Sequence, residues 1–266
     1  MPQTASLVFF YFGEESYLNA LAQETVQISK AFEGYDHTVL LKFPEINLGP
    51  FNLSAKAERE ANVSSLPTRE NFVEQLNNLG LQGYTTDLYI FSHGWNNSFR
   101  VSTGNYGDNS KITANYIKEA VKPLDLRMVW QCNCYGSTLN STWQELGAQA
   151  TGGSRFINFY PTRFNRFIES WNSGETFHHS LSAGDIPSIR TPVQTYIMAD
   201  AFQSRKDWGG CSFGETILGN GECAESYFKY RWLGDNWSPA KSGRQNMNYS
   251  SEMLIAGNPQ LRKISK

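Results

Sequence analysis

Two apolar runs in this 266-residue chain stop abruptly at reactive side chains. Asp87-Leu88-Tyr89-Ile90-Phe91-Ser92 runs into His93-Gly94, and Leu126-Arg127-Met128-Val129-Trp130-Gln131 runs into Cys132-Asn133-Cys134-Tyr135-Gly136-Ser137. Apolar runs of this length, bounded by small and polar residues, read as buried strands. A thiol and an imidazole are the two groups that nucleophilic acyl transfer needs, one to attack and one to move protons. In an open α/β sheet, ligands bind outside the carboxyl ends of the strands. If the two runs are neighbours, His93 and Cys134 face one crevice.

Each candidate competes with a plainer explanation. A cysteine is often a small buried apolar residue, but Cys134 sits at a strand end before a turn, where a following helix start and an imidazole would favour its thiolate. Gly136 allows the backbone to turn tightly there. Cys132 lies two residues back on the same strand face, so it is the rival nucleophile, expected to pack or to line a pocket. Of the four histidines, His37 precedes a strand and His178 and His179 sit in a polar stretch, which leaves His93 at the functional position.

The elements that must position these groups alternate between strand and helix. Leu7 to Phe12 reads as a strand, Leu18 to Phe32 as a helix stopped by Gly34, and Thr38 to Phe43 as a second strand ended by Pro44. Residues 44 to 68 form a long connection with a short helix at Ala55 to Ala61, and Thr68 caps the helix that precedes the His93 strand. Asn96 to Ser110 reads as a surface loop and Lys111 to Val121 as a helix ended by Pro123. After the Cys134 strand come a helix over Leu139 to Ala148, Gly152-Gly153 behind it, a short strand over Arg155 to Tyr160, and a helix over Thr162 to Trp171. Val193 to Ala199 is the last clear strand. The pattern predicts one α/β domain, a three-layer α/β/α sandwich with a mostly parallel sheet of about six strands. Residues 1–202 form the catalytic core and 203–266 a loop-rich extension packed on it, with Trp208, Trp232 and Trp237 helping to shape the cleft.

Bulk properties narrow the function. The formal net charge of -2 gives no reason to expect nucleic acid or an anionic membrane as a partner. No apolar stretch reaches membrane-spanning length, and the N-terminus lacks a basic region before a signal-type apolar run. A cytoplasmic protein is expected. The cysteines at 132, 134, 211 and 223 contain no C-x-x-C pair, and two on one strand face suit tetrahedral zinc poorly, so neither metal nor cofactor is expected.

His-Gly after an apolar strand, then a cysteine ending the next apolar strand before a glycine, resembles the caspase-like cysteine peptidases, which include caspases, metacaspases, legumain, gingipains and separase. Cys132-Asn133-Cys134-Tyr135-Gly136 lines up with the caspase Q-A-C-x-G pattern. The resemblance covers about residues 5 to 200 in element order and little beyond the two motifs in identity. It implies that Cys134 attacks a scissile carbonyl, that His93 protonates the leaving amine, and that the N–H groups of Gly94 and Cys134 hold the oxyanion. The substrate is a protein or peptide. Cys132 stands where these families place a residue lining the P1 pocket. If Glu14 and Glu15 after the first strand and Asp200 after the last face that pocket, they favour Arg or Lys at P1; equally, Glu14 and Glu15 are solvated acids near a helix start, where acids are favoured anyway. Arg205-Lys206 is then a candidate for self-processing.

Two other readings compete. Caspase-like folds include catalytically silent or latent members that bind or scaffold. A serine hydrolase is suggested by His93-Gly94-Trp95-Asn96-Asn97, which resembles an α/β-hydrolase oxyanion loop, and by Gly210-Cys211-Ser212-Phe213-Gly214, which fits G-x-S-x-G. That elbow lacks a preceding apolar strand, and no histidine follows His179 to complete the order serine, acid, histidine.

Overall fold

The apolar runs carry little polar alternation because, in the computed structural model, they form parallel strands covered on both faces. The structure describes residues 2–12, 26–43, 53–103, 109–155, 158, 163–185 and 252–263. The strands in chain order are β1 (Thr4–Tyr11), β2 (His37–Lys42), β3 (Val63–Ser65), β4 (Thr85–Ser92), β5 (Gly94–Trp95), β6 (Ser98–Ser102), β7 (Asn109–Thr113), β8 (Leu126–Cys132), β9 (Ala150–Ser154) and β10 (Met253–Gly257). The helices are α1 (Leu53–Glu60), α2 (Arg69–Leu81), α3 (Ala114–Ala120), α4 (Asn140–Glu145), α5 (Arg163–Asn172) and α6 (Phe177–Gly184). Seven strands form the main sheet in the order β10-β9-β8-β4-β1-β2-β3, and β5, β6 and β7 form a small second sheet. All pairings in the main sheet are parallel except that of β10 with β9.

Successive residues of each central strand serve opposite layers. Leu7, Phe9 and Tyr11 pack with Leu88 and Ile90 against Phe72 and Leu76 of α2, Ile117 of α3 and Trp143 of α4. Val8, Phe10 and Phe12 pack with Tyr89, Phe91 and Trp130 on the other face, against α5 and α6. On α5, Phe164, Phe167, Ile168 and Trp171 recur at helical spacing and are all fully buried. Each such side chain contributes roughly 2 kcal/mol through removal from water. Helix α2 starts where the sequence signals it: the Asn71 N–H donates to the Thr68 hydroxyl at 3.2 Å.

Several elements differ from the sequence reading. Of the helix expected over Leu18 to Phe32, residues 18–25 lie outside the described residues, and Ile28–Phe32 is a 3-10 turn. The stretch from Asn96 to Ser110 is not a plain loop, because β6 and the start of β7 lie in it; Phe99 and Val101 enter the core, with the half-buried Arg100 between them on the other face. A strand that the sequence reading does not anticipate spans Ala150–Ser154 and takes in Gly152 and Gly153, while most of the strand expected over Arg155 to Tyr160 lies outside the described residues. Those glycines serve packing. A Cβ on Gly153 would sit 2.4 Å from the Gly136 carbonyl carbon, so only glycine lets β9 approach the turn after Cys134. Met253–Gly257, in a stretch read as loops, is an edge strand that brings the sheet to seven. The strand expected over Val193 to Ala199 lies outside the described residues.

Candidate active site

Strand order decides where a crevice opens. From β1 the chain moves to β2 and β3 on one side, then returns to the other side of β1 with β4, β8 and β9. The order therefore reverses between β1 and β4, whose last paired residues are Tyr11 and Ser92. At such a switch point the loops leaving adjacent carboxyl ends diverge and leave room for a ligand. His93 is the first residue past that end of β4, and Cys132 closes β8 beside it, paired with Phe91. The cleft of about 440 Å³ lined by Ser29, Glu33, Tyr35, Asp36, Glu60 and Asn62 lies at the opposite, amino edge of the sheet, where Asp36 receives the Thr4 N–H at 2.8 Å.

His93 is half-buried against Phe12, the rings meeting edge to face at 5.7 Å. Its imidazole donates to the Phe12 carbonyl, which also receives Arg100 Nη1 at 3.4 Å. Behind it, the Arg100 N–H donates to the His93 carbonyl at 2.8 Å, and the Ser92 hydroxyl donates to the Arg100 carbonyl at 2.7 Å. Burial first, and the Arg100 guanidinium second, hold the imidazole down to about 4. At neutral pH it is therefore uncharged and able to accept a proton.

Cys134 lies just past β8 on a backbone that turns left-handed at Tyr135, with φ 56°. Its sulfur receives the N–H of Asn158 at 3.3 Å and donates to the Asn158 carbonyl at 3.5 Å, and the backbone N–H groups of Gly94 and of Cys134 itself lie near enough to favour its charged form. Burial pushes the thiol up; the three N–H groups pull the other way without offsetting it. The two strand ends touch. A Cβ on Gly94 would lie 2.2 Å from the Cys134 carbonyl oxygen and 2.7 Å from Asn133 Nδ2, so position 94 admits only glycine. The backbone N–H groups of Gly94 and Cys134 thus lie on the side of the sulfur where β4 and β8 end together.

Cys132 is buried in the cluster with Phe91, Trp130 and Phe164. Asn158 Nδ2 donates to its sulfur at 3.1 Å, and burial pushes the thiol up to about 12. Such a thiol is un-ionised at any ordinary pH and is the poorer nucleophile.

Two residues at this site escape sequence reasoning. Asn133 is buried between the cysteines, and neither its Oδ1 nor its Nδ2 has a hydrogen-bond partner in the structure. Its position between Cys132 and Cys134 was the available signal. Asn158 touches both sulfurs from a distant stretch, and nothing in the sequence marks it. Glu14, Glu15 and Asp200 lie outside the described residues, as do Cys211, Cys223 and the Arg205-Lys206 step. His178 and His179 are exposed on α6, away from this edge.

Among the described residues no group of three or more His, Cys, Asp or Glu could hold a metal, and no helix is long and apolar enough to cross a membrane. No protein-family model matches the chain, and no curated protein matches it. Among solved structures it is similar to a secreted C11 cysteine protease from Bacteroides thetaiotaomicron, determined in complex with an irreversible peptide inhibitor. The TM-score is 0.43 at 11% identity, and the match covers 80% of this chain and 63% of that one. The chain thus spans less than two thirds of that protein's length.

Proposed function

We propose that the protein is a caspase-like cysteine endopeptidase in which Cys134 is the nucleophile and His93 the acid and base. The observation that carries this reading is the meeting of two strand ends at the carboxyl edge of a parallel sheet: Gly94, next to His93, packs against the backbone of Cys134, whose half-buried thiol stands beside the strand that carries a neutral imidazole. In the resting site the proton stays on sulfur. Substrate binding expels water, His93 takes the proton as sulfur attacks the carbonyl carbon, and the backbone N–H groups of Gly94 and Cys134 hold the oxyanion. His93 then passes the proton to the leaving amine, and water releases the acyl group. Glu14, Glu15 and Asp200 are proposed to line the P1 pocket and to favour Arg or Lys, with Cys132 at its floor.

Hydrolysis of a peptide mixture by the wild type and by variants tests this. Cys134→Ala abolishes turnover, and His93→Ala lowers kcat/KM by about 10²- to 10⁴-fold. His178→Ala, an exposed control, leaves it unchanged. Full activity in Cys134→Ala would end the proposal.

A further inference from the structure

A row of side chains leads from His93 across the small sheet. Gly94 pairs with Phe99, and the Arg100 N–H donates to the His93 carbonyl, so the ladder runs one pair further and sets His93 opposite Arg100. Arg100 is in turn opposite Lys111. Residues directly opposed across antiparallel strands present their side chains on one face. Trp95, two residues beyond His93, shares that face by alternation. The other face carries Phe99, Val101 and Ile112 into the core.

This row is open to solvent at its far end and, among the described residues, carries charge that no carboxylate pairs. Trp95 is 41% exposed, and the exposed Lys111 holds its Nζ 3.9 Å from the centre of the indole. Among the described residues, the Arg100 guanidinium touches the Phe12 carbonyl and, at 5.8 Å, the Tyr11 ring, and its Nε is buried without a hydrogen-bond partner. No carboxylate pairs with Arg100 or Lys111 among the described residues. An imidazole, two cations and an aromatic face thus stand in sequence, with the cation farthest from the thiol held in place by the ring.

We propose that this face is the subsite for an acidic residue of the substrate on the leaving-amine side of the scissile bond, with Lys111 and Arg100 supplying charge and Trp95 apolar cover. The proposal rests on the peptidase reading. The side follows from the chemistry: the imidazole that gives its proton to the leaving amine must lie on that side, and the row continues outward from it. Cations already positioned lose little freedom when a carboxylate arrives.

The test uses matched peptides identical up to the scissile bond and carrying either Glu or Gln two residues beyond it. The wild type cleaves the Glu peptide with the higher kcat/KM, through KM, and the preference weakens with added salt. Lys111→Glu lowers the Glu-over-Gln ratio roughly tenfold, and Lys111→Met lowers it by less. Equal cleavage of the two peptides by the wild type, or an unchanged ratio in Lys111→Glu, would overturn the subsite and leave the peptidase standing. Cleavage of neither peptide, nor of any other, would remove the peptidase reading and this one with it.

Discussion

A half-buried thiol and a half-buried imidazole each favour their neutral forms, because losing part of the surrounding water leaves a charge poorly solvated. Cys134 and His93 both follow this rule: the thiol is raised and the imidazole is held down to about 4. At rest both groups are therefore neutral, unlike the thiolate–imidazolium pair of a permanently activated thiol. The sign of the pH dependence follows. With the thiol raised, the thiolate fraction is small at neutral pH and grows as pH rises through and beyond the ordinary thiol range. Alkylation of Cys134 by iodoacetamide, followed from about pH 6 to about pH 10, should still be climbing at the top of that range. A plateau near neutrality would contradict the account.

At the scale of elements, the site depends on how β4 and β8 lie side by side. Their pairing shifts register between Thr86 and Asp87, so Arg127 falls at an irregularity in the ladder. There its Nε and Nη2 reach Asp87 Oδ1 and Oδ2, each at 2.8 Å, while Trp171 Nε1 of α5 donates to Oδ2 at 3.0 Å and the Tyr35 hydroxyl donates to the same oxygen. Both charged side chains are almost wholly buried. Removing one leaves the other uncompensated, at a cost of about 3–5 kcal/mol. Asp87→Asn should lower Tm by roughly 10 °C while the protein, once folded, still alkylates at Cys134. A Tm within about 2 °C of the wild type would show that the pair holds nothing together.

Across the whole molecule, the sequence was most informative where burial on both faces made strands continuous. The runs ending at His93 and Cys134 were legible as β4 and β8, and α5 was legible from its aromatic stripe. Hairpin β6–β7 was hidden because short alternation among Ser, Asn and Gly resembles a loop until its partner strand is known. Strand β9 is hidden because Gly152 and Gly153 punctuate a sequence but here serve close packing against Gly136 and Leu181. Asn158 could not be read at all, since its role depends on a fold that returns it to two sulfurs more than twenty residues away in the chain.

All three scales meet in one claim, that Cys134 is a nucleophile assisted by His93. The most direct measurement is labelling with irreversible peptidyl inhibitors bearing Arg, Lys, Asp or Asn at P1, followed by peptide mapping in the wild type and in His93→Ala. The account predicts a covalent adduct on Cys134, strongest with a basic P1 residue and weakened by His93→Ala. An adduct on Cys132, or none with any inhibitor, would contradict it.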